Sequence, residues 1–302
     1  MKVIMEFKSN LLLGITVLAL VSCGGNDVEE QQDPFTENRK AVDIVTRTDD
    51  SETSSIGLLA GLYMVNYSNE QQVSLLANGN YVNNLQMNYN NGSWQLSSPI
   101  YWKDTNINAD FYAYSPFTEQ VDDARAMAFR VATDQSTQEA FQKSDLLWGT
   151  VQNQSPLDGK FSLMLSHCLS RLNVKVEAGV GFSEGELTAN DVTVVIGGSK
   201  TLGEVDLQTG QVNTKGEVAD VKCTNNGDLS FSAILLPQQI PFANLIQIDW
   251  KGNKYTLQNS FVLESQRQYT LKIELKKTQS GLVIGIDGWD IINEDFGGVI
   301  GG

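Results

Sequence analysis

One short stretch of the sequence gathers most of the side chains that catalysis would need. Residues 166–172 read SHCLSRL and contain the only histidine of the chain, His167, beside the thiol of Cys168 and near the guanidinium of Arg171. One histidine is enough for a serine hydrolase, since a single imidazole serves as the general base of a Ser–His–carboxylate triad. A GxSxG pattern occurs once, as GFSEG (181–185), but the strand-like DVTVVIGG follows it instead of the helix that a nucleophile elbow needs, which leaves a hydrolase without its second element.

The apolar residues around His167 favour a structural role instead. They keep a two-residue period on both sides of the polar stretch, but at odd positions before it and at even positions after it: Phe161, Leu163 and Leu165, then Leu172, Val174 and Val176. Such a change of phase is produced by a β-bulge or by a bend between two strands. We therefore expect His167 and Ser170 to bond unpaired backbone groups at a bend, and we predict no catalytic residue and no enzymatic activity.

No other segment carries a defined catalytic or metal-binding motif. HExxH, GxxxxGK[ST], GxGxxG and DxDxDG patterns are absent. Adjacent carboxylates at 29–30, 49–50 and 122–123 lie in polar stretches, where we expect them to be solvated. The acidic tail DGWDIINEDFGG (287–298) has a spacing that matches no calcium loop. We predict no metal site and no cofactor.

The cysteines of the body of the protein, Cys168 and Cys223, have no CxxC partner. Together with one histidine they supply too few ligands for a convincing zinc site. Two interpretations remain open. They form a disulfide in an oxidising compartment, or each is a buried thiol that behaves as a small apolar side chain, which is the interpretation we favour.

Composition indicates a β-rich protein that avoids anionic partners. The chain has 302 residues, 41% of them hydrophobic, with 26 glycines against 6 prolines and a net charge of −15. That length favours two domains. The negative charge makes nucleic acid and anionic membrane surfaces poor partners.

The first residues have the pattern of a bacterial lipoprotein signal. Lys2 and Lys8 precede the apolar run Leu11–Val21, which is too short to span a bilayer, and LVSC then places Cys23 after a small residue. We predict a signal peptide over 1–22 and a lipid on Cys23, the membrane anchor of the mature chain. The alternative is an ordinary secretory signal with an incidental cysteine.

The rest of the chain reads as short strands separated by turns. A polar tether (24–40) leads to the strand-like AVDIV (41–45), and short alternating runs then continue to the C-terminus, with one short helix expected in QSTQEAFQKSD. Asn-Gly and Lys-Gly turns predict hairpins at NNG and KGN. The turn-rich SPLDGK (155–160) is where we place a domain boundary. The sequence thus predicts an all-β fold with two antiparallel β-sandwich domains in tandem.

Aromatic residues are concentrated in the first half of the chain. They fall mostly at alternating positions expected to face a core: Trp94, Tyr101, Trp102, Phe111, Tyr112, Tyr114 and Phe117. Core packing is the favoured interpretation, and a platform on which sugars stack is the alternative.

Taken in order, several segments resemble one family. They are the lipobox, an arginine in a polar run, GSWQLSSPIYW, DFYAYSPF, DLLWGT, LSHCLSRLNVKV, FSAILLPQQ and LESQRQYTLKIEL. This succession is similar to the fimbrillin-like (Mfa-like) lipoproteins, the subunits of type V pili. The resemblance covers nearly all of the chain that follows the signal peptide.

The resemblance implies a fold and a mode of assembly. Members have two transthyretin-like β-sandwich domains, which would here span 48–158 and 159–302. They reach the outer membrane surface as lipoproteins, and a protease that cuts after an arginine removes an N-terminal segment with its strand. This opens a hydrophobic groove, which a strand from a neighbouring subunit then fills. Carried onto this chain, the lipidated residue is Cys23, the cut follows Arg47, and the removable segment is 23–47.

Two points limit what the resemblance implies. Arg39 is a weaker cleavage site, because a cut there would leave the strand near 41–45 attached. The tail NEDFGGVIGG is rich in glycine and a poor donor strand, whereas LVIGI (282–286) is a better strand that the subunit's own sheet would need. Stalk, tip and anchor positions therefore stay open.

We accordingly predict a structural or accessory subunit of a cell-surface fimbria that contributes to adhesion. Its partners would be other pilin subunits, an arginine-specific protease and the outer membrane. The alternative is a surface lipoprotein that binds a glycan or a protein and never polymerises.

Overall fold

The computed structural model describes residues 40–48, 59–66, 74–76, 84–90, 93–102, 106–278, 281–285 and 292–295, all within one compact unit that spans residues 33–302. The first ten strands are β1 (Ile44–Thr48), β2 (Leu59–Asn66), β3 (Ser74–Leu76), β4 (Leu85–Asn90), β5 (Ser93–Leu96), β6 (Ile100–Trp102), β7 (Ala109–Ser115), β8 (Met127–Arg130), β9 (Leu147–Gln154) and β10 (Phe161–His167). The next ten are β11 (Ser170–Ala178), β12 (Val192–Asp206), β13 (Gln211–Lys222), β14 (Thr224–Gly227), β15 (Ser230–Leu235), β16 (Gln238–Trp250), β17 (Asn253–Leu263), β18 (Arg267–Thr278), β19 (Gly281–Gly285) and β20 (Ile292–Asp295). Helix α1 (Gln138–Ser144) and a 3-10 turn (Ala189–Asp191) complete the described elements, so the predicted all-β class is confirmed.

The N-terminal half forms a closed barrel. Its strand order within the described residues is β1-β10-β9-β7-β2-β4-β5, and β3 pairs separately with β6. β1 closes the ring, because it runs parallel to β10 along its whole length and meets β5 antiparallel at one position, Thr46 opposite Trp94. The barrel core consists of buried apolar side chains from the ring strands, from β6 and from the residue two positions before β1: Val42, Ala60, Leu62, Met64, Met87, Trp94, Ile100, Trp102, Ala109, Phe111, Ala113, Leu147, Leu163 and Leu165.

The C-terminal half is a β-sandwich. One sheet has the order β14-β15-β11-β18-β19 with β20 also on β18, and the other has the order β13-β12-β16-β17 with β8 also on β12. Alternate side chains of both sheets enter one core, for example Leu172 and Phe231 from the first sheet and Ile246 and Leu257 from the second. The ladders are antiparallel, as predicted, except for β1–β10 and β11–β18, which are parallel.

A third cluster, which we call the joint core, lies between the barrel and the sandwich. It combines residues from the outside of the barrel with residues from β8, β12 and β15: Tyr63, Tyr112, Tyr114, Met127, Phe129, Val131, Leu146, Cys168, Leu169, Val205, Leu207, Ile234 and Leu236. The Trp148 indole N–H donates to the carbonyl of Leu207 at 2.8 Å. A Cβ added at Gly210 would lie 2.7 Å from the Trp148 ring, so the β12–β13 turn packs directly on a barrel strand.

Local sequence explains the main turns. In the β16–β17 hairpin, Lys251 and Gly252 have φ angles of 51° and 84°, the left-handed pair that a two-residue hairpin with the natural strand twist requires. β7 ends at Ser115, directly before Pro116, which cannot donate to a ladder. Helix α1 begins after Thr137, whose side chain accepts from the N–H of Ala140. The predicted hairpins and the short helix are confirmed.

The change of phase around His167 is a bend between two strands, as predicted. β10 ends at His167 in the barrel, and β11 begins at Ser170 in the sandwich. Cys168 and Leu169, which connect them, are buried in the joint core. The domain boundary at residues 158–159 remains a prediction, because strand pairing crosses it in both directions. β8 precedes the boundary but pairs with β12 of the sandwich, whereas β10 follows it but pairs with β1 and β9 of the barrel.

Candidate functional site

The polar cluster around His167 is built into the fold. The His167 side chain is 3% exposed, and its Nδ1 lies 2.8 Å from Oδ1 of Asp145, the residue that caps the end of α1. The Ser170 hydroxyl donates to the carbonyl of Glu264 at 2.6 Å. Because the hydroxyl is fully buried and points at a carbonyl, it does not present a nucleophile to solvent. Ser170 thus bonds a backbone carbonyl, as expected, whereas His167 lies buried at the bend against a carboxylate that the sequence pattern did not indicate.

Both cysteines of the described region are free, buried thiols. Burial, together with the charge of Asp145, raises the pKa of the Cys168 thiol to about 12. Burial alone raises the pKa of Cys223. The Cys168 thiol donates to the carbonyl of Gly210 at 3.3 Å. They therefore serve as small core residues, as the favoured interpretation held.

The acidic pairs do not form a site within the described residues. Asp122 and Asp123 are exposed, and the pairs at 29–30 and 49–50 lie outside the described residues, as does most of the acidic tail. In the part of the chain that the structure describes, no three His, Cys, Asp or Glu residues come together as metal ligands.

The aromatic side chains of the first half lie mostly in the cores. Trp94, Trp102, Phe111, Tyr112 and Tyr114 are each at most 6% exposed. Core packing was thus the correct interpretation for these five. Tyr101 and Phe117 are half-buried.

The candidate functional site is the segment that closes the barrel, residues 40–48, which we call the closing segment. Its first part continues the small β3–β6 sheet. The Val42 N–H donates to the Ile100 carbonyl, and the Trp102 N–H donates to the Lys40 carbonyl, both at 2.9 Å. Its second part is β1. Val42 is 7% exposed in the barrel core, and Ile44 packs against that core. The closing segment is therefore both hydrogen-bonded and partly buried.

The strands on either side of β1 present an apolar wall. Trp94 of β5 and Leu163 of β10 both pair with Thr46, and Leu165 pairs with Thr48. Trp94 is 3% exposed, and both leucines are fully buried. Without the closing segment, β5 and β10 would border an apolar groove, and β10 would expose the backbone groups that now pair with β1 along residues 161–165.

The predicted cleavage residue, Arg47, lies inside β1 opposite Met164. The expected strand was 41–45, followed by an exposed polar stretch, whereas the observed strand is Ile44–Thr48 and is preceded by a bridge from Ala41 to Tyr101. Cys23 and Arg39 lie outside the described residues. Within the described residues, no helix is long and apolar enough to cross a bilayer.

A charge pair that the sequence analysis missed stands where β1 begins. Lys160 Nζ lies 3.6 Å from Oδ1 of Asp43, and the next N–H, that of Phe161, donates to the Asp43 carbonyl at 3.2 Å. We call Asp43 and Lys160 the entry pair. Each precedes a strand by one residue, so only the parallel pairing of β1 with β10 brings them together.

The C-terminal segment lies at the edge of the sandwich. β19 pairs with Glu274–Thr278 of β18, and β20 pairs with Arg267–Thr270 of the same strand, both antiparallel. The expectation that LVIGI belongs to the subunit's own sheet is met by β19.

Comparison with known proteins places the chain in a family. A model described as "Fimbrillin-like" matches residues 46–289, so the chain belongs to the fimbrillin-like family, as the resemblance indicated. It is 25% identical over 186 residues to a Bacteroides ovatus protein named "Putative fimbrium tip subunit Fim1C", which covers 55% of this chain and 34% of the relative. The chain thus matches about a third of the length of that curated relative.

Solved structures share the fold. A "putative cell adhesion protein" of Bacteroides uniformis superposes with a TM-score of 0.60 at 20% identity, covering 86% of this chain and 99% of that one. Another of Bacteroides ovatus superposes with a TM-score of 0.64 at 16% identity, covering 85% and 98%. At these identities the likeness establishes the architecture.

Proposed function

We propose that this protein is a subunit of a cell-surface fimbria that assembles by exchange of the closing segment. It is exported as a lipoprotein, held at the outer membrane by lipid on Cys23, and cut after Arg47 by an arginine-specific protease. The cut frees residues 23–47, and a strand of another subunit fills the groove between β5 and β10. The role is structural and adhesive, without a catalytic step.

One observation carries this proposal: the barrel is closed by the first strand of the described residues, which meets β5 at one position. Once the chain is cut behind it, such a strand can leave without rethreading. Its departure would expose Trp94, Leu163 and Leu165, and an apolar groove bordered by two strand edges is a template for strand addition. Membership of the fimbrillin-like family adds independent support.

The position of Arg47 inside β1 sets a condition on the cut. Proteases bind their substrates as extended, unpaired chain, so β1 must first separate locally from β10. Fraying at the Thr48 end meets that condition, because β1 has a ladder on its β5 side at Thr46 alone. We therefore expect cleavage after Arg47 to be slow in the folded protein and to accelerate with temperature.

The experiment is limited digestion of the residue 24–302 protein with an arginine-specific protease, followed by intact mass and gel analysis. Arg47→Lys is the test variant, since it keeps the positive charge but removes the cleavage site, and Arg39→Lys is its matched control. The proposal expects loss of residues 24–47 in the parent and in Arg39→Lys, but not in Arg47→Lys. A ladder of SDS-resistant oligomers should follow the cut.

Each other outcome has a defined meaning. A clean cut without a ladder would indicate a terminal or accessory subunit that needs other pilins as partners. Cleavage only at Arg125 or Arg130, both exposed, would sink the assignment of Arg47. The sugar-platform alternative loses its main motivation, because five of its seven aromatic residues are buried.

A further inference from the structure

The entry pair lies at one end of the groove that the closing segment fills, where β1 begins. Asp43 lies between Val42, which is buried, and Ile44, which packs on the barrel core, so its side chain points to the outside of the strand. The Asp43 and Lys160 side chains are 61% and 59% exposed and lie 3.6 Å apart. The pair therefore marks one register of the closing segment: an acidic residue between two apolar ones.

Lys160 is held at this position by the turn that precedes it. The N–H of Asp158 donates to the Ser155 carbonyl, the N–H of Ser155 donates to the Asp158 carboxylate, and the N–H of Leu157 donates to the Ser155 hydroxyl, each at 3.1 Å. Phe161, directly after Lys160, begins β10. The turn before Lys160 and the Phe161 ring after it, whose centroid lies 4.6 Å from that of Phe111 in the barrel core, keep the Lys160 backbone at this end of the groove when the closing segment leaves.

Cleavage after Arg47 separates the two residues of the entry pair. Asp43 leaves with the released segment, whereas Lys160 remains on the barrel. Its ammonium is then without the carboxylate that faced it, on the outer side of a site that accepts apolar residues at the positions of Val42 and Ile44.

We infer that Lys160 selects the strand that replaces the closing segment: an extended segment of a second subunit that carries an acidic residue, flanked by two apolar residues, at the position of Asp43. This inference rests on the strand replacement proposed above and adds the residue type that the groove would recognise in the incoming strand. A strand with a basic residue at that position is disfavoured, because it meets Lys160 as a like charge.

The effect is one of selectivity more than of affinity. Both side chains of the entry pair are more than half exposed, so a favourable pair changes binding only about two- to fivefold. Reversing one charge also adds repulsion, which widens the difference between acidic and basic strands to about tenfold at low salt. Salt reduces that difference, because the charges are exposed.

The test uses a chain of residues 24–302 with a specific protease sequence inserted between Asp50 and Ser51, in the polar run DDSETSS, so that it does not depend on Arg47. After cleavage in the folded state, fluorescent peptides of residues 40–48, with Asp43 or with Asp43→Lys, compete for the groove. Fluorescence anisotropy gives their Kd values at low and at high salt. The protein carries Lys160, Lys160→Glu or, as a control, Lys254→Glu on the exposed side of β17.

The expected result is a preference of about tenfold for the Asp43 peptide over the Asp43→Lys peptide, reversed in Lys160→Glu, unchanged in Lys254→Glu, and smaller at high salt. Equal affinities, or a preference that survives Lys160→Glu, would overturn the inference while leaving strand replacement intact. If neither peptide enters any of the cleaved proteins, strand replacement itself fails, and the inference fails with it.

Discussion

The barrel and the sandwich bury similar apolar residues, but their sheets are completed in different ways. In the sandwich, the adjacent strands β12, β16 and β17 are 15, 13 and 11 residues long and come from the interior of the sequence. In the barrel, the ring is completed by β1, which has five residues and meets β5 at one position. A long internal strand cannot leave without unfolding its sheet, whereas a short strand that precedes the other described strands can leave once the chain is cut behind it. The comparison predicts a barrel that opens at one seam and a sandwich that does not.

The largest effect is expected in the sandwich core. Phe231 is 1% exposed among side chains of both sheets. Phe231→Ala should reduce the free energy of unfolding by about 3–5 kcal/mol, since it removes a ring and leaves a cavity. The shift of the urea midpoint at constant slope measures it. A loss below about 1 kcal/mol would show that the sandwich is not the rigid half.

The next largest effect is expected at the joint between the halves. Gly210 has a φ of 72° and packs on the Trp148 ring. Gly210→Ala should cost about 3 kcal/mol, because a left-handed backbone is unfavourable for alanine and the new methyl group also displaces the ring.

Gly159→Ala is the matched control for the joint. Gly159 has a φ of 77° but no neighbouring atom within 4 Å of an added Cβ. It should therefore cost only about 1–2 kcal/mol, the backbone term alone. Equal losses in the two variants, measured by the same urea titration, would mean that the packing of the β12–β13 turn on the barrel contributes nothing.

A smaller effect is expected at the seam, where the closing segment (residues 40–48) meets the rest of the barrel. Val42→Ala removes two methyl groups from the barrel core and should cost about 1.5 kcal/mol. In the cleaved protein, the same change should speed release of the closing segment about tenfold, because 1.4 kcal/mol corresponds to a factor of ten. Stopped-flow competition with a labelled peptide measures the rate. An unchanged release rate would show that Val42 does not hold the seam.

The smallest signal is expected from the thiols. With a pKa of about 12, Cys168 is ionised to about one part in ten thousand at pH 8, and only the thiolate reacts with iodoacetamide. Because burial raises the pKa, the folded protein should resist alkylation until the pH approaches 12. Mass spectrometry in buffer and in urea measures labelling. Rapid labelling of Cys168 in the native protein would show that the joint core opens.

Particular residues show how far sequence reasoning reached. The shift from odd to even apolar positions around His167 predicted the bend between β10 and β11, because side-chain alternation is a local property of strands. The Lys251-Gly252 turn predicted its hairpin for a similarly local reason. The entry pair was missed, since Asp43 and Lys160 are more than a hundred positions apart and neither residue type is unusual beside a strand.

The sequence by itself determined the all-β class, the positions of most strands, the apolar residues of the cores and the likeness to fimbrillin-like proteins. The first three features follow from side-chain alternation and turn chemistry, which act over a few residues, whereas the likeness rests on the order of several short segments along the chain. Only the tertiary structure decided that the first strand closes the barrel parallel to β10, that Arg47 lies inside it, and that a third core joins the halves. Strand partners and direction depend on backbone pairing between distant segments, and a strand's own residues do not encode which neighbour it will have.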